Sequence, residues 1–202
     1  MHSLSDLLFK IDINEETESL IYFTSDLHLG DNGLIFIKQR PFETVEEMNE
    51  TLINNYNAVV SDDDTVYILG DLCNRVNIDT ANKLISRMKG RKYLLRGNHD
   101  KHYDPELFVG IKDILKTTFE EVPFVLMHYP LLAWPRMKSG SIQLHGHMHG
   151  NKDYNLQNRE NGIRRFDVGI SANDYKPVSL DAIFEFYGIE ISLSEESISV
   201  QG

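Results

Sequence analysis

Again and again along this chain a short apolar run stops at Asp, Asn or His. Residues 20–25 (LIYFTS) lead into Asp26, with His28 two positions on. Residues 65–69 (TVYIL) reach Gly70-Asp71, and residues 92–95 (KYLL) lead to Gly97-Asn98-His99-Asp100. Residues 124–128 (FVLMH) end in His128, and residues 141–145 (SIQLH) end in His145, followed by His147 and His149. The runs are rich in aromatic and β-branched types and read as strands. Strand ends on one edge of a sheet converge, and α/β proteins build their sites there. One Asp at such a point is usually a turn former or a helix cap. Five strand ends carrying the same chemistry call for a shared site.

Between the strands the pattern turns helical. Thr44 and Glu47 match a capping box, and Val45, Met48, Leu52 and Tyr56 follow at helical spacing, which predicts a helix over about 45–57. Asp79 is placed to cap a helix that puts Ala81, Leu84, Ile85 and Met88 on one face. Residues 179–187 (SLDAIFEFY) suggest a short helix, while residues 164–170 and the tail after Ile189 suggest further strands. Strands alternate with helices early and dominate late, so an α/β protein with more than one sheet is expected.

At 202 residues the chain is long enough for one domain with a real core, here taken as 1–202. No apolar stretch approaches about 18 residues, so no membrane-spanning helix is expected. Met1 to Ile13 lacks a basic segment followed by an apolar one and does not read as a signal peptide. Cys73 is the only cysteine, so no internal disulfide can form, and a cytoplasmic location is expected. The formal net charge of −11 argues against extensive nucleic-acid binding, which draws on clustered Lys and Arg. It does not exclude a phosphate substrate, because a metal centre supplies positive charge locally.

The residue types at the strand ends point to metal. Carboxylate, imidazole and amide oxygen form a mixed O/N donor set suited to Mn, Fe, Zn or Ni rather than Ca. Asp26 and His28 are two apart and face the same side of an extended segment, as do His147 and His149. Alone, either pair is a short pattern with little specificity.

Together the blocks Asp26-Leu27-His28, Gly70-Asp71, Gly97-Asn98-His99-Asp100, His128 and Gly146-His147-Met148-His149 resemble the ordered signature of the calcineurin-like metallophosphoesterase superfamily. The phrases Arg40-Pro41-Phe42 and His128-Tyr129-Pro130 look like its small bacterial and phage branch. The resemblance implies two facing mixed β-sheets flanked by helices, a four-layer sandwich. It implies two divalent metals, with Mn the first expectation. One would take Asp26, His28, Asp71 and His149, and the other Asp71, Asn98, His128 and His147, with Asp71 bridging. It further implies hydrolysis of a phosphodiester or phosphomonoester by a metal-bridging hydroxide, with His99 as general acid and Asp100 orienting it.

Other residues are open to two readings. Related protein phosphatases carry Gly-Asp-x-x-Asp-Arg-Gly, whose Arg contacts phosphate; Arg75 matches that Arg, while Asn74 and Val76 depart from the pattern, so a salt-bridge role competes. Trp134 and Arg136 could line a substrate pocket or simply pack in a Pro-rich loop. His145 is expected to support the site rather than bind metal, Cys73 to be a small buried side chain, and His102 to lie on the surface. Three alternative functions remain: a DNA or RNA nuclease of the same superfamily, a non-catalytic binding module, and a protein Ser/Thr phosphatase, against which the short chain and the incomplete Asp-Arg-Gly match count. Retention of every block, including His99, counts against the module.

Overall fold

The computed structural model describes residues 19–190. The tail beyond Glu190 and the Met1–Ile13 run lie outside the described residues. A first sheet is built from β1 (Ile21–Thr24), β2 (Thr65–Ile68), β3 (Arg91–Leu95) and β4 (Gly110–Lys112), all parallel. A second is built from β5 (Ile114–Phe119), β6 (Val122–Met127), β7 (Ile142–His145) and β8 (Arg165–Asp167). β5 and β6 are antiparallel, and β6, β7 and β8 are parallel. The short β9 (Val178–Ser179) returns antiparallel to β1, so the first sheet runs β4-β3-β2-β1-β9 and is also mixed.

Alternation along the strands makes two cores from one sheet. Tyr22, Val66, Ile68 and Leu94 face one way, into a cluster with Met48, Leu52, Ile53 and Tyr56 of α2 (Val45–Asn57) and Ala81, Leu84 and Ile85 of α3 (Ile78–Ile85). Phe23, Leu69 and Leu95 face the other way, against Phe124, Leu126, Ile142, Leu144 and Phe166 of the second sheet. Leu180, Ile183 and Phe184 of the C-terminal helix (Leu180–Tyr187) join this inter-sheet core. Each such side chain taken out of water contributes roughly 1.5–3 kcal/mol, before chain entropy is set against it.

The helix over 45–57 forms as its pattern requires. The Thr44 hydroxyl accepts from the Glu47 N–H at 3.1 Å, and the Glu47 carboxylate reaches back to the Glu43 N–H at 2.8 Å. α3 differs from expectation. Asn77, not Asp79, is its cap, accepting from the Thr80 N–H at 2.8 Å. Asp79 instead lies in the first turn, where its charge complements the helix dipole. Two further helices, α1 (Gly33–Ile37) and α4 (Lys152–Glu160), carry no apolar periodicity to announce them. Only Asn155 and Asn158 of α4 are buried. Asn155 exchanges a pair of hydrogen bonds with the Asp167 backbone, at 2.7 and 3.0 Å, and Asn158 accepts from Arg165. This outer layer is held to β8 by polar pairing rather than by an oily face. With the Leu180–Tyr187 helix counted as α5, the two mixed sheets are flanked by helices as expected.

Candidate active site

Parallel pairing sends β1, β2 and β3 to one edge of the first sheet, and β6 and β7 to one edge of the second. The two edges meet. Asp26 and His28 donate their backbone N–H to Gly70 and Asp71, at 3.0 and 2.9 Å, closing the loops after β1 and β2 against each other. Gly146 donates to the His128 carbonyl at 2.9 Å, joining the loops after β6 and β7. Ile170 donates to Ser25 at 3.1 Å and ties the sheets together. Gly146 sits so close to Ser25 and Asp26 that a Cβ there would strike the Ser25 hydroxyl. That close approach is why the His147–His149 turn begins with glycine.

The structure brings all seven candidate ligands to this edge. Oxygen and nitrogen atoms of Asp26, His28 and His149 lie within 4.8 Å of one another, as do those of Asp26, Asp71 and His128. His28 Nε2 and His128 Nε2 approach the same Asp71 oxygen, Oδ2, at 3.4 and 3.5 Å. Asn98 Oδ1 lies 3.1 Å from both His128 Nε2 and His147 Nδ1, which are themselves 3.2 Å apart. Asp26, His28, Asp71, His147 and His149 all have positive φ, between 48° and 71°. Non-glycine residues are strained there. Such concentration of strain at the convergence point is the mark of a site held in place by the surrounding fold.

The chemistry of these donors tests the fit to metal. His128 Nδ1 is 2.8 Å from the Leu69 carbonyl, which can only accept, so the ring proton sits on Nδ1 and Nε2 presents a lone pair. That lone pair faces the Asn98 and Asp71 oxygens, which are acceptors too. Neither ring nitrogen of the buried His28 has a hydrogen-bond partner among the described residues, and His149 Nδ1 also lacks one. Buried imidazoles without partners are costly. Converging acceptors and orphaned nitrogens are what cations satisfy.

Electrostatics agree. Burial, then the neighbouring Asp167 and Asp71 carboxylates, push the Asp26 carboxyl well above its ordinary range. Burial, then His149 and the Arg40 guanidinium, push His28 down to about 2. Burial and Arg40 likewise push His149 down to about 4. These imidazoles are therefore neutral, the form that binds metal.

Several expectations meet a different arrangement. Asp100 does not reach the His99 ring. Its two oxygens accept backbone N–H groups from Asp71, Leu72 and Gly97 at 2.7, 2.9 and 2.8 Å. It holds the Asp71 turn rather than the imidazole. Three donors converging from the backbone outcompete a single solvent-facing ring. Trp134 is only 6% exposed and its indole N–H donates to Ser141, so it packs rather than stacking on substrate. Arg136 is exposed beside Lys116, Thr118 and Pro123 on the β5–β6 face, apart from the donor cluster. Arg75, by contrast, lines a cavity of about 260 Å³ together with His99. His99 itself is exposed, with its N–H on Asp71 Oδ1 at 2.9 Å and its ring 5.3 Å from that of His28.

Other residues take roles around the site that the sequence patterns leave unassigned or only outline. Arg40 is buried and donates to the Asp26 and Leu27 carbonyls at 2.6 and 2.8 Å, gripping the Asp26–His28 turn from behind. Asp167 is fully buried and accepts from Gly169 and Gly150, anchoring the chain just after His149. Asp167 ends β8, so the strand-end rule that marks the other site residues extends to it. Nothing local marks Arg40 as buried. His145 is buried with Nδ1 2.8 Å from the Gly146 carbonyl and its ring edge-on to Tyr154, clear of the donor cluster. Cys73 is buried too, and burial pushes its thiol up to about 12.

The profile of the calcineurin-like phosphoesterase family matches residues 19–171, which include every element of this site. The chain belongs to that family. As a calcineurin-like phosphoesterase it is a metal-dependent enzyme acting on phosphate esters. It is 39% identical over 166 residues to the uncharacterized protein MJ1445 of Methanocaldococcus jannaschii, covering 81% of this chain and 88% of that one. It is 31% identical over 195 residues to the gene 66 protein of Mycobacterium phage L5, covering 81% and 92%. Among solved structures it resembles the protein of unknown function AQ665 from Aquifex aeolicus, with a TM-score of 0.67, 26% identity, and coverage of 83% of this chain and 99% of that one. The calcineurin-like phosphoesterase fold is thus shared along nearly the whole of that protein. No helix among the described residues is long and apolar enough to cross a membrane.

Proposed function

We propose that this phosphoesterase is a dinuclear phosphohydrolase that cleaves a small phosphodiester or phosphomonoester. Asp26, His28, Asp71 and His149 would hold one divalent ion, and Asp71, Asn98, His128 and His147 a second. Manganese is the first choice for this O/N donor set, with Fe, Zn and Ni as alternatives. When bound, two such ions supply positive charge to the phosphoryl oxygens and lower the pKa of the attacking water.

The chain's own residues supply position and a proton. Asp71 uses Oδ2 toward His28 and His128 and Oδ1 toward the His99 N–H, so His99 is registered against the shared carboxylate. Its ring remains at the mouth of the site, where it gives a proton to the departing oxygen. The observation that carries the reading is the meeting of His28 and His128 on one Asp71 oxygen while the exposed His99 stays outside that cluster. The test is hydrolysis of bis- and mono-p-nitrophenyl phosphate by chelator-treated protein resupplied with Mn, Ni, Zn or Mg. Turnover that returns with metal, at about two ions per chain, is expected. Retention of no metal after reconstitution would defeat the dinuclear reading.

A further inference from the structure

The cavity beside His99 has a composition at odds with the rest of the molecule. Its lining joins Arg75, Lys101 and His102 with Asn74 and the smaller Cys73 and Val76. In a chain of net charge −11, the cations Arg75 and Lys101 gather at one side of the candidate active site. The nearby carboxylates offset them only in part. Asp100 is committed to three backbone N–H groups. Asp31 is buried and shared among the Gly33 N–H, the Asn74 amide and Arg75 Nε, the last at 3.4 Å. The Arg75 side chain remains 64% exposed, and among the described residues Lys101 has no carboxylate within ion-pair distance. Lys101, unpaired among those residues, and Arg75, only partly neutralised by Asp31, leave a concave wall that concentrates anions.

Position gives the cavity a role. His99 belongs to its wall, and the same ring lies 5.3 Å from His28 in the donor cluster. His99 therefore borders both the donor cluster and the cavity. In the proposed hydrolysis, water forms the new P–O bond, the old one breaks, and the departing oxygen takes the His99 proton. The group attached to that oxygen would lie on the His99 side of the donor cluster, next to the cavity.

We propose that the cavity is a leaving-group subsite for an oxyanion, and that the preferred substrates are phosphate esters whose leaving group carries its own phosphate or carboxylate. Arg75 and Lys101 bind that second anion, with His102 at the rim, while Cys73 and Val76 accept the intervening carbon skeleton. This inference rests on the phosphohydrolase reading above and adds the substrate class.

The experiment compares two esters with the metal-loaded enzyme: 4-carboxyphenyl phosphate and its neutral counterpart, 4-carbamoylphenyl phosphate. The amide-bearing phenol is the slightly better leaving group, so a carboxylate preference cannot come from ease of departure. We expect kcat/KM to favour the carboxylate ester by roughly tenfold or more, as a charge-assisted hydrogen bond allows. The preference should shrink several-fold in Lys101→Gln and in Arg75→Gln and weaken with added salt, as exposed charges are screened. Lys83→Gln, an exposed change on α3, should keep it. Both esters hydrolysed with equal kcat/KM, or a preference unchanged in both variants, would overturn the subsite and leave the phosphohydrolase standing. No turnover of either ester, of p-nitrophenyl phosphate or of bis-p-nitrophenyl phosphate would sink both readings together.

Discussion

The Asp100 carboxylate gathers the N–H groups of Asp71, Leu72 and Gly97, all within 2.9 Å, while His99 beside it turns outward. The two neighbours should therefore fail in different ways. His99→Ala should keep its metal and its fold yet lose about 10²–10⁴-fold in turnover of an alkyl phosphate ester, the usual worth of a positioned acid. The loss should be smaller for a p-nitrophenyl ester, whose leaving group departs without a proton. Full activity on the alkyl ester would remove His99 from the mechanism. Asp100→Ala instead strands three backbone donors. Allowing for water reaching some of them, it should cost roughly 2–4 kcal/mol of stability and lower metal occupancy through the displaced Asp71 turn. Denaturant melts and metal analysis on one preparation would decide. An Asp100→Ala protein with unchanged stability and metal content would return Asp100 to the role of orienting His99.

Among the elements, α2 shows how a helix is held by more than its apolar stripe. Met48, Leu52 and Ile53 are buried against the first sheet, and Tyr56 is buried with its hydroxyl donating to the Lys89 carbonyl at 3.0 Å. That bond ties the end of α2 to the turn entering β3. Tyr56→Phe should cost about 1 kcal/mol at neutral pH. Burial, and then Asp64, hold the Tyr56 phenol above its ordinary value near 10. By linkage, the neutral phenol's contribution is complete below pH ~10, where the unfolded tyrosine titrates, and is lost as pH rises toward the folded value. Wild type should lose up to about 1.4 kcal/mol per pH unit above pH 10 from this group, and Tyr56→Phe should not. Parallel stability curves for the two proteins from about pH 9 to 11 would count against it.

Across the whole molecule, the two sheets meet at the site as well as through the Phe23–Phe124 core. Asp26, His28, Asp71 and Asn98 come from the first sheet, and His128, His147 and His149 from the second. An ion held by residues of both sheets binds the folded state and not the separated one. At about 100 times Kd each site adds roughly 2.7 kcal/mol, or about 5–10 °C in Tm for a domain of this size. Chelator treatment should lower Tm and added Mn should restore it. A Tm indifferent to both would mean the donor cluster does not close on metal.

Local pattern by itself determines a good deal of this protein. The strand runs, the Thr44-capped helix and the polar strand ends all rest on neighbours within a few residues, so the order of residues alone makes them legible. Tertiary structure decides what depends on partners far along the chain. Asp100 meets N–H groups 28 and 29 positions away, Arg40 reaches back 13 and 14 positions, and Asn155 pairs across 12. Trp134 is open to a substrate role by residue type, yet packing buries it. α4 lacks a helical signature because its fixed face is amide rather than apolar. Periodicity records which side chains leave water, and it is short-ranged. A hydrogen bond is directional and takes whichever donor the fold delivers, so its partners exist only once the chain has closed on itself.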